Sequence, residues 1–146
     1  MKVEASVWVA IANAAQQCFP NECCGVLIAS STDTSAILQA IALPNVNKER
    51  ATDRFEIDPL AYQKIESECK AAGREIAGFF HSHPNGLPRP SATDLEMARG
   101  LFEVTRKYYL YAIQVMNPSA PEQNSLTCWR LNDDASAFIP LQLQPA

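Results

Sequence analysis

Apolar and polar positions change period several times along the chain, and each change marks a different element. Val7, Ala10, Ile11, Ala14 and Cys18 recur at helical spacing, which predicts an amphipathic first helix closed by Pro20. The short apolar run CCGVLIAS, residues 23–30, ends in a Ser/Thr/Asp turn and predicts a buried strand. Residues 35–45, SAILQAIALPN, predict a second strand, antiparallel to the first if the turn between them is a hairpin. In RFEID, residues 54–58, Phe55 and Ile57 alternate with charges as in a half-buried strand. Asp58-Pro59 then gives an N-cap followed by proline at the first helical position. The second helix has Ala61, Ile65, Cys69 and Ala72 as its apolar face and Gly73 as its stop.

The run EIAGFF, residues 75–80, is uninterrupted and predicts a central strand, buried on both faces, that ends directly at His81. A third helix begins near Ser91 with Leu95, Ala98 and Phe102 inward. YYLYAIQVM (108–116) and LTCWRL (126–131) predict further strands, and FIPLQL near the end either pairs or packs beside them. This order indicates an α/β (α+β) fold, a mixed central sheet flanked by helices, in a single domain over residues 1–146.

Composition narrows the choice of partners. The chain is 47% hydrophobic and 19% charged, with a net charge of −4 and no block of Lys and Arg, which speaks against nucleic acid. No segment approaches the ~20 apolar residues of a membrane span. The start of the chain imitates a secretory leader, but Glu4 sits where a leader is basic and the run Val7–Ala12 is short. Five cysteines, an odd number without a C-x-x-C pair, read as reduced, packed thiols of a cytoplasmic protein.

Both histidines of the chain lie in HSHPNGLPRPSATD, residues 81–94. In a strand, residues i and i+2 share a face, so His81 and His83 can converge on one point while Ser82 faces away. The loop that follows is stiffened by Pro84, Pro88 and Pro90 and turned by Gly86, and it can return Asp94 to the strand end. Two histidines and an aspartate would leave one position open on a tetrahedral metal, as catalytic zinc sites do. On the residues alone, a pair of strand-end histidines beside a plain helix cap, Ser91 with Asp94, stays open as an alternative. The deaminase pair H-x-E and P-C-x-x-C is absent, as is H-E-x-x-H, and packing explains Cys23 and Cys24.

His81-x-His83, seven residues, Ser91, two residues and Asp94 together resemble the signature of the JAMM (MPN-plus) metallopeptidases. FPNECCGVLIA places Glu22 where that family carries an upstream glutamate, and NVNKERATDRFEIDP resembles its approach to the second helix. Ala29 departs from the glycine of many relatives. The resemblance implies a cytidine-deaminase-like JAMM/MPN fold with Zn²⁺ held by His81, His83 and Asp94. It implies that Glu22 is the catalytic acid–base group for water attacking an amide, and that Ser91 donates to the oxyanion. The chain is most similar to the compact prokaryotic members, for which the implied substrate is a ubiquitin-like sulfur-carrier protein cut after its C-terminal Gly-Gly. Three other family roles remain: a non-catalytic scaffold, a phage-tail peptidase and a DNA-repair-associated domain. The five intact site residues weigh against the first and the missing basic patch against the last. Oligomeric state, a homodimer included, is left open.

Overall fold

In the computed structural model, which describes residues 1–146, the chain begins with β1 (Lys2–Val3) and α1 (Ala5–Cys18). It continues through β2 (Cys24–Ser30), β3 (Ala36–Ile37), β4 (Gln39–Leu43) and α2 (Pro59–Ala71) to β5 (Arg74–His83) and α3 (Ala92–Thr105). β6 (Leu110–Val115), β7 (Ser125–Leu131), β8 (Phe138–Leu141) and β9 (Gln144–Pro145) complete it. The main sheet has the order β4-β2-β5-β6-β7-β8, and a small second sheet the order β3-β1-β9. In the main sheet only β5 and β6 run parallel. Parallel neighbours need a crossover, and α3 supplies it.

Alternation along β5 divides the molecule into two packed layers. Phe80 points toward α1, where Val7, Ile11, Ala14 and Ala15 pack with Leu27 and Ala112. Phe79 points to the opposite layer and stacks on Tyr62 of α2. There Ile65 and Cys69 pack on Val26, Ile28 and Ile76, and Ala98 of α3 packs with Leu131 and Ala135. Each fully buried Leu, Ile, Val or Phe side chain contributes about 1.5–3 kcal/mol, so these layers dominate the stability of the fold. The same alternation sends His81 and His83 to the layer of α2 and α3.

The mixed sheet flanked by helices is as expected, but several boundaries differ. Residues 35–45 are not one strand: Leu38 donates to the Ile28 carbonyl at 2.8 Å, and the chain there leaves one sheet for the other. RFEID is not a strand either. Glu56 N–H bonds the side-chain oxygen of Asn45 at 3.1 Å rather than a ladder partner, and Phe55 and Ile57 line a groove instead. On α1, Ala10 and Cys18 are only half-buried and Ala15 is buried in their stead, while Ala72 of the second helix is exposed. FIPLQL does pair, as β8 against β7. β1 and β9, two residues each, are too short to leave a period in the sequence.

Gly25 lies where β2 passes closest to its neighbours. A Cβ there would collide with the Ile41 backbone carbonyl and with the ring of Phe80. Gly25→Ala should therefore cost about 1–3 kcal/mol by overpacking, lowering Tm by roughly 2–4 °C per kcal/mol in a chain of this size. Thermal unfolding by circular dichroism checks this.

Candidate metal centre

Pairing between β2 and β5 assembles the site. The ladder sets Cys24 opposite His81 and continues one step further, with Ser82 N–H donating to the Cys23 carbonyl at 3.2 Å. The Ser82 hydroxyl, buried on the far face, accepts from Cys23 N–H at 2.8 Å. Glu22, the next residue, is thereby carried alongside His83. It is 5% exposed. The return loop turns at Gly86, whose φ of 82° is left-handed, and it places Ser91 at the N-cap of α3.

Three ligand atoms meet at one point. His81 Nε2, His83 Nε2 and Asp94 Oδ2 lie 3.1 Å from one another on every side of a triangle. Donors bound at about 2.0–2.1 Å to a tetrahedral ion stand about 3.3 Å apart, so the triangle fits such an ion closely. The chemistry of the set points the same way. His83 Nδ1 donates to the Leu87 carbonyl at 2.9 Å; a carbonyl only accepts, so that nitrogen carries the proton and Nε2 presents a lone pair. This lone pair and a carboxylate oxygen facing each other call for a cation between them. Phe55 stacks on the His81 ring with centroids 4.6 Å apart, and His81 Nδ1 is buried without a partner.

Asp94 serves two purposes. Its Oδ2 also accepts from Ser91 N–H at 2.9 Å, and Ser91 Oγ accepts from Asp94 N–H at 3.0 Å, which is a complete capping box. The cap and the site are thus one structure rather than alternatives. Ser91 Oγ accepts that bond and keeps its own proton available for a further acceptor beside the triangle.

Electrostatics separate the two carboxylates. Burial pushes Glu22 up to about 8, against the pull of His83 and with the help of Asp94. Its Oε1 is buried and has no partner. Burial alone would raise Asp94 as well, but hydrogen bonds with His81 and His83 hold it far below the usual carboxylate range. Burial lowers His81. In His83 burial is outweighed by the bonds to Asp94 and Leu87, and its pKa is raised. A cation at the triangle would draw Glu22 back down toward an ionised carboxylate.

All five residues singled out in the sequence thus gather at the end of β5. Phe55, Ser82, the Leu87 carbonyl and Asn45, which binds the Glu22 backbone, were not anticipated. Ser82 sits inside the motif itself, whereas Asn45 and Phe55 carry no signal in the sequence beyond the end of a strand and an alternating apolar residue. A groove of about 520 Å³ runs from His81 and Asp94 between α2 and α3 and is lined by Phe55, Tyr62, Phe79, Met97 and Tyr111 among others.

A mixed sheet whose central strand presents two histidines to the acidic start of a helix defines an α+β domain with three side chains placed to hold a metal ion. The profile of a family described as prokaryotic homologs of the JAB domain matches residues 4–132, and the chain belongs to that family. Over 79 residues it is 40% identical to a Haloferax volcanii protein named desampylase, covering 54% of this chain and 55% of that one. Over 61 residues it is 36% identical to a Thermus thermophilus protein named probable TtuB-protein conjugate cleaving protease, covering 42% and 40%. The chain thus spans about half the length, or less, of these curated relatives. Its fold matches the solution structure of a Desulfitobacterium hafniense protein with a TM-score of 0.80 at 21% identity, over 100% of this chain and 93% of the other. It also matches the crystal structure of a JAB1/MPN domain protein from Archaeoglobus fulgidus with a TM-score of 0.60 at 22% identity, over 100% and 99%.

Without metal, the folded protein keeps a proton on Glu22 between about pH 4.5 and 8, where the unfolded chain has released it. The native state then binds more protons than the unfolded one, so Glu22 makes stability fall as pH rises through that window. Glu22→Gln should remove a pH-dependent loss on the order of a few kcal/mol. Urea unfolding of metal-free wild type and variant from pH 5 to pH 9 checks it, the difference isolating Glu22 from His83.

Proposed function

We propose that this chain is a zinc-dependent peptidase that hydrolyses the amide bond after the C-terminal Gly-Gly of a ubiquitin-like sulfur-carrier protein. The observation that carries the reading is the His81–His83–Asp94 triangle standing beside a buried carboxylate oxygen, Glu22 Oε1, that has no partner. Among first-row divalent ions, a small tetrahedral triangle of two imidazoles and one carboxylate suits zinc. Zinc held by these three residues would supply Lewis-acid polarisation and an acidified water. Glu22 takes the proton released by the attacking water and delivers it to the departing amine. The Ser91 hydroxyl, anchored by its cap bond, donates to the oxygen on which negative charge develops. Burial of Glu22 keeps bulk water from competing for its lone pairs.

Two observations support a polypeptide substrate. A groove lined mainly by apolar side chains leads to His81 and Asp94 and offers a surface on which a chain can lie beside them. The Thermus thermophilus relative is named for cleaving protein conjugates.

The test is a ubiquitin-like carrier fused through Gly-Gly to a short peptide, incubated with the zinc-loaded protein and read by mass spectrometry. Wild type should hold about one zinc per chain and cut after Gly-Gly. His81→Ala and Asp94→Asn should lose the metal and the activity together. Glu22→Gln should keep zinc and lose about 10²–10⁴-fold in kcat. Ser91→Ala should lose about 10²–10³-fold, with Ser91→Thr, which keeps both hydroxyl and cap, recovering most of it. A zinc-loaded wild type that leaves the fusion intact, or a fully active Glu22→Gln, overturns the reading.

A further inference from the structure

The loop between β4 and α2 is built around one side chain, Asn45. Both hydrogens of its amide nitrogen are used: Nδ2 donates to the Glu22 carbonyl at 3.2 Å and to the Arg54 carbonyl at 2.9 Å. Its oxygen accepts from Asn47 N–H at 3.0 Å and from Glu56 N–H at 3.1 Å. All four hydrogen-bonding positions of the amide are filled, which fixes which way it faces. Two of the four bonds grip the peptide groups on either side of Phe55, the residue stacked on His81 at 4.6 Å. A third grips the carbonyl of Glu22, whose N–H donates in turn to the Ala51 carbonyl of the same loop at 2.7 Å. The backbone of Glu22 is therefore bonded on both sides by this loop. Asn47 Oδ1 accepts from Arg50 N–H at 3.0 Å, and an ion pair joins Arg50 to Asp53, so the loop is closed on itself away from the site.

We propose that Asn45 is a positioning residue that holds the Glu22 backbone and the Phe55 ring in one fixed relation, setting the Glu22 carboxylate against the His81–His83–Asp94 triangle. The inference rests on the amide-hydrolysis reading for its kinetic consequence but not for its structural one. Glu22 lies in the short stretch between α1 and β2, where β2 pairing restrains it from one side only. Asn45 and Ala51 supply the restraint from the other. Loss of the Asn45 amide frees the Glu22 carbonyl and the arc of chain carrying Phe55 together, while the ligands stay anchored on β5 and on the cap of α3.

The test compares wild type, Asn45→Ala, the near-isosteric Asn45→Asp and Asn47→Ala. Asn45→Asp keeps the accepting oxygen but sets a second oxygen against the Glu22 and Arg54 carbonyls, so it stands in if the alanine variant does not fold. On the Gly-Gly fusion, both Asn45 variants should lose about 10- to 100-fold in kcat with KM within about twofold, the usual scale for outer-shell supports. Metal content and the visible absorption of the cobalt-substituted protein should not change, because no ligand moves. Asn47→Ala loosens the far end of the loop and should keep wild-type kcat. In hydrogen–deuterium exchange, the Asn45 variants should speed exchange in residues 19–24 together with 45–58. Unchanged kcat in both Asn45 variants, loss of metal with activity, an equal kcat loss in Asn47→Ala, or faster exchange confined to 45–58 overturns the proposal. A wild type that cleaves nothing overturns the hydrolysis reading instead, and the exchange result then decides the role of Asn45 alone.

Discussion

The antiparallel ladder between β2 and β5 is the constraint on which the site depends. Its register sets Cys24 beside His81 and, by continuation, Glu22 beside His83. A strand pair has a side-chain period of two, so a slip of one residue would turn both histidines into the α1 layer and bring Ser82 to the site. The contacts that hold this register are apolar and remote from the chemistry: Phe80 lies across Gly25, and Leu27 and Ile28 are fully buried on opposite faces. The core thus specifies the site by fixing which residues of β5 face which way.

Around that frame the site is an arrangement of unequal charges in a dry place. Asp94 accepts from the Ser91 amide, stands against the two imidazoles, and stays ionised. Glu22, two residues before the start of β2, meets no donor at Oε1 and holds its proton. Two carboxylates in one pocket therefore answer to different surroundings, one suited to hold a cation and the other to exchange protons. The difference comes from what each oxygen touches and not from residue type.

Much of this was legible in the sequence, because strand and helix periods are local. His81 and His83 at i, i+2 after an apolar run could only share a face, and Ser91 with Asp94 at i, i+3 could only start a helix. The fold class followed from the order of such segments. What escaped lay in side-chain to backbone bonds between distant segments, which leave no period. Asn45 looked like the end of a strand, and Phe55 looked like half of an alternating pair. Each acquires its role only when residues 22, 45 and 55 are brought together. Short edge pairs such as β1 with β9 were invisible for a related reason, since two residues cannot display alternation.

The double duty of Ser91 and Asp94 has an evolutionary consequence. A capping box stabilises α3 whether or not an ion is present, so selection for folding alone retains both residues. His81 and His83 enjoy no such protection: buried imidazoles that bind nothing are a burden to the core, and drift toward apolar residues would relieve it. A descendant that abandoned the chemistry would keep its Ser-x-x-Asp and shed its His-x-His. In this architecture the histidine pair, rather than the acid, is the part of the motif that records whether the centre is still in use.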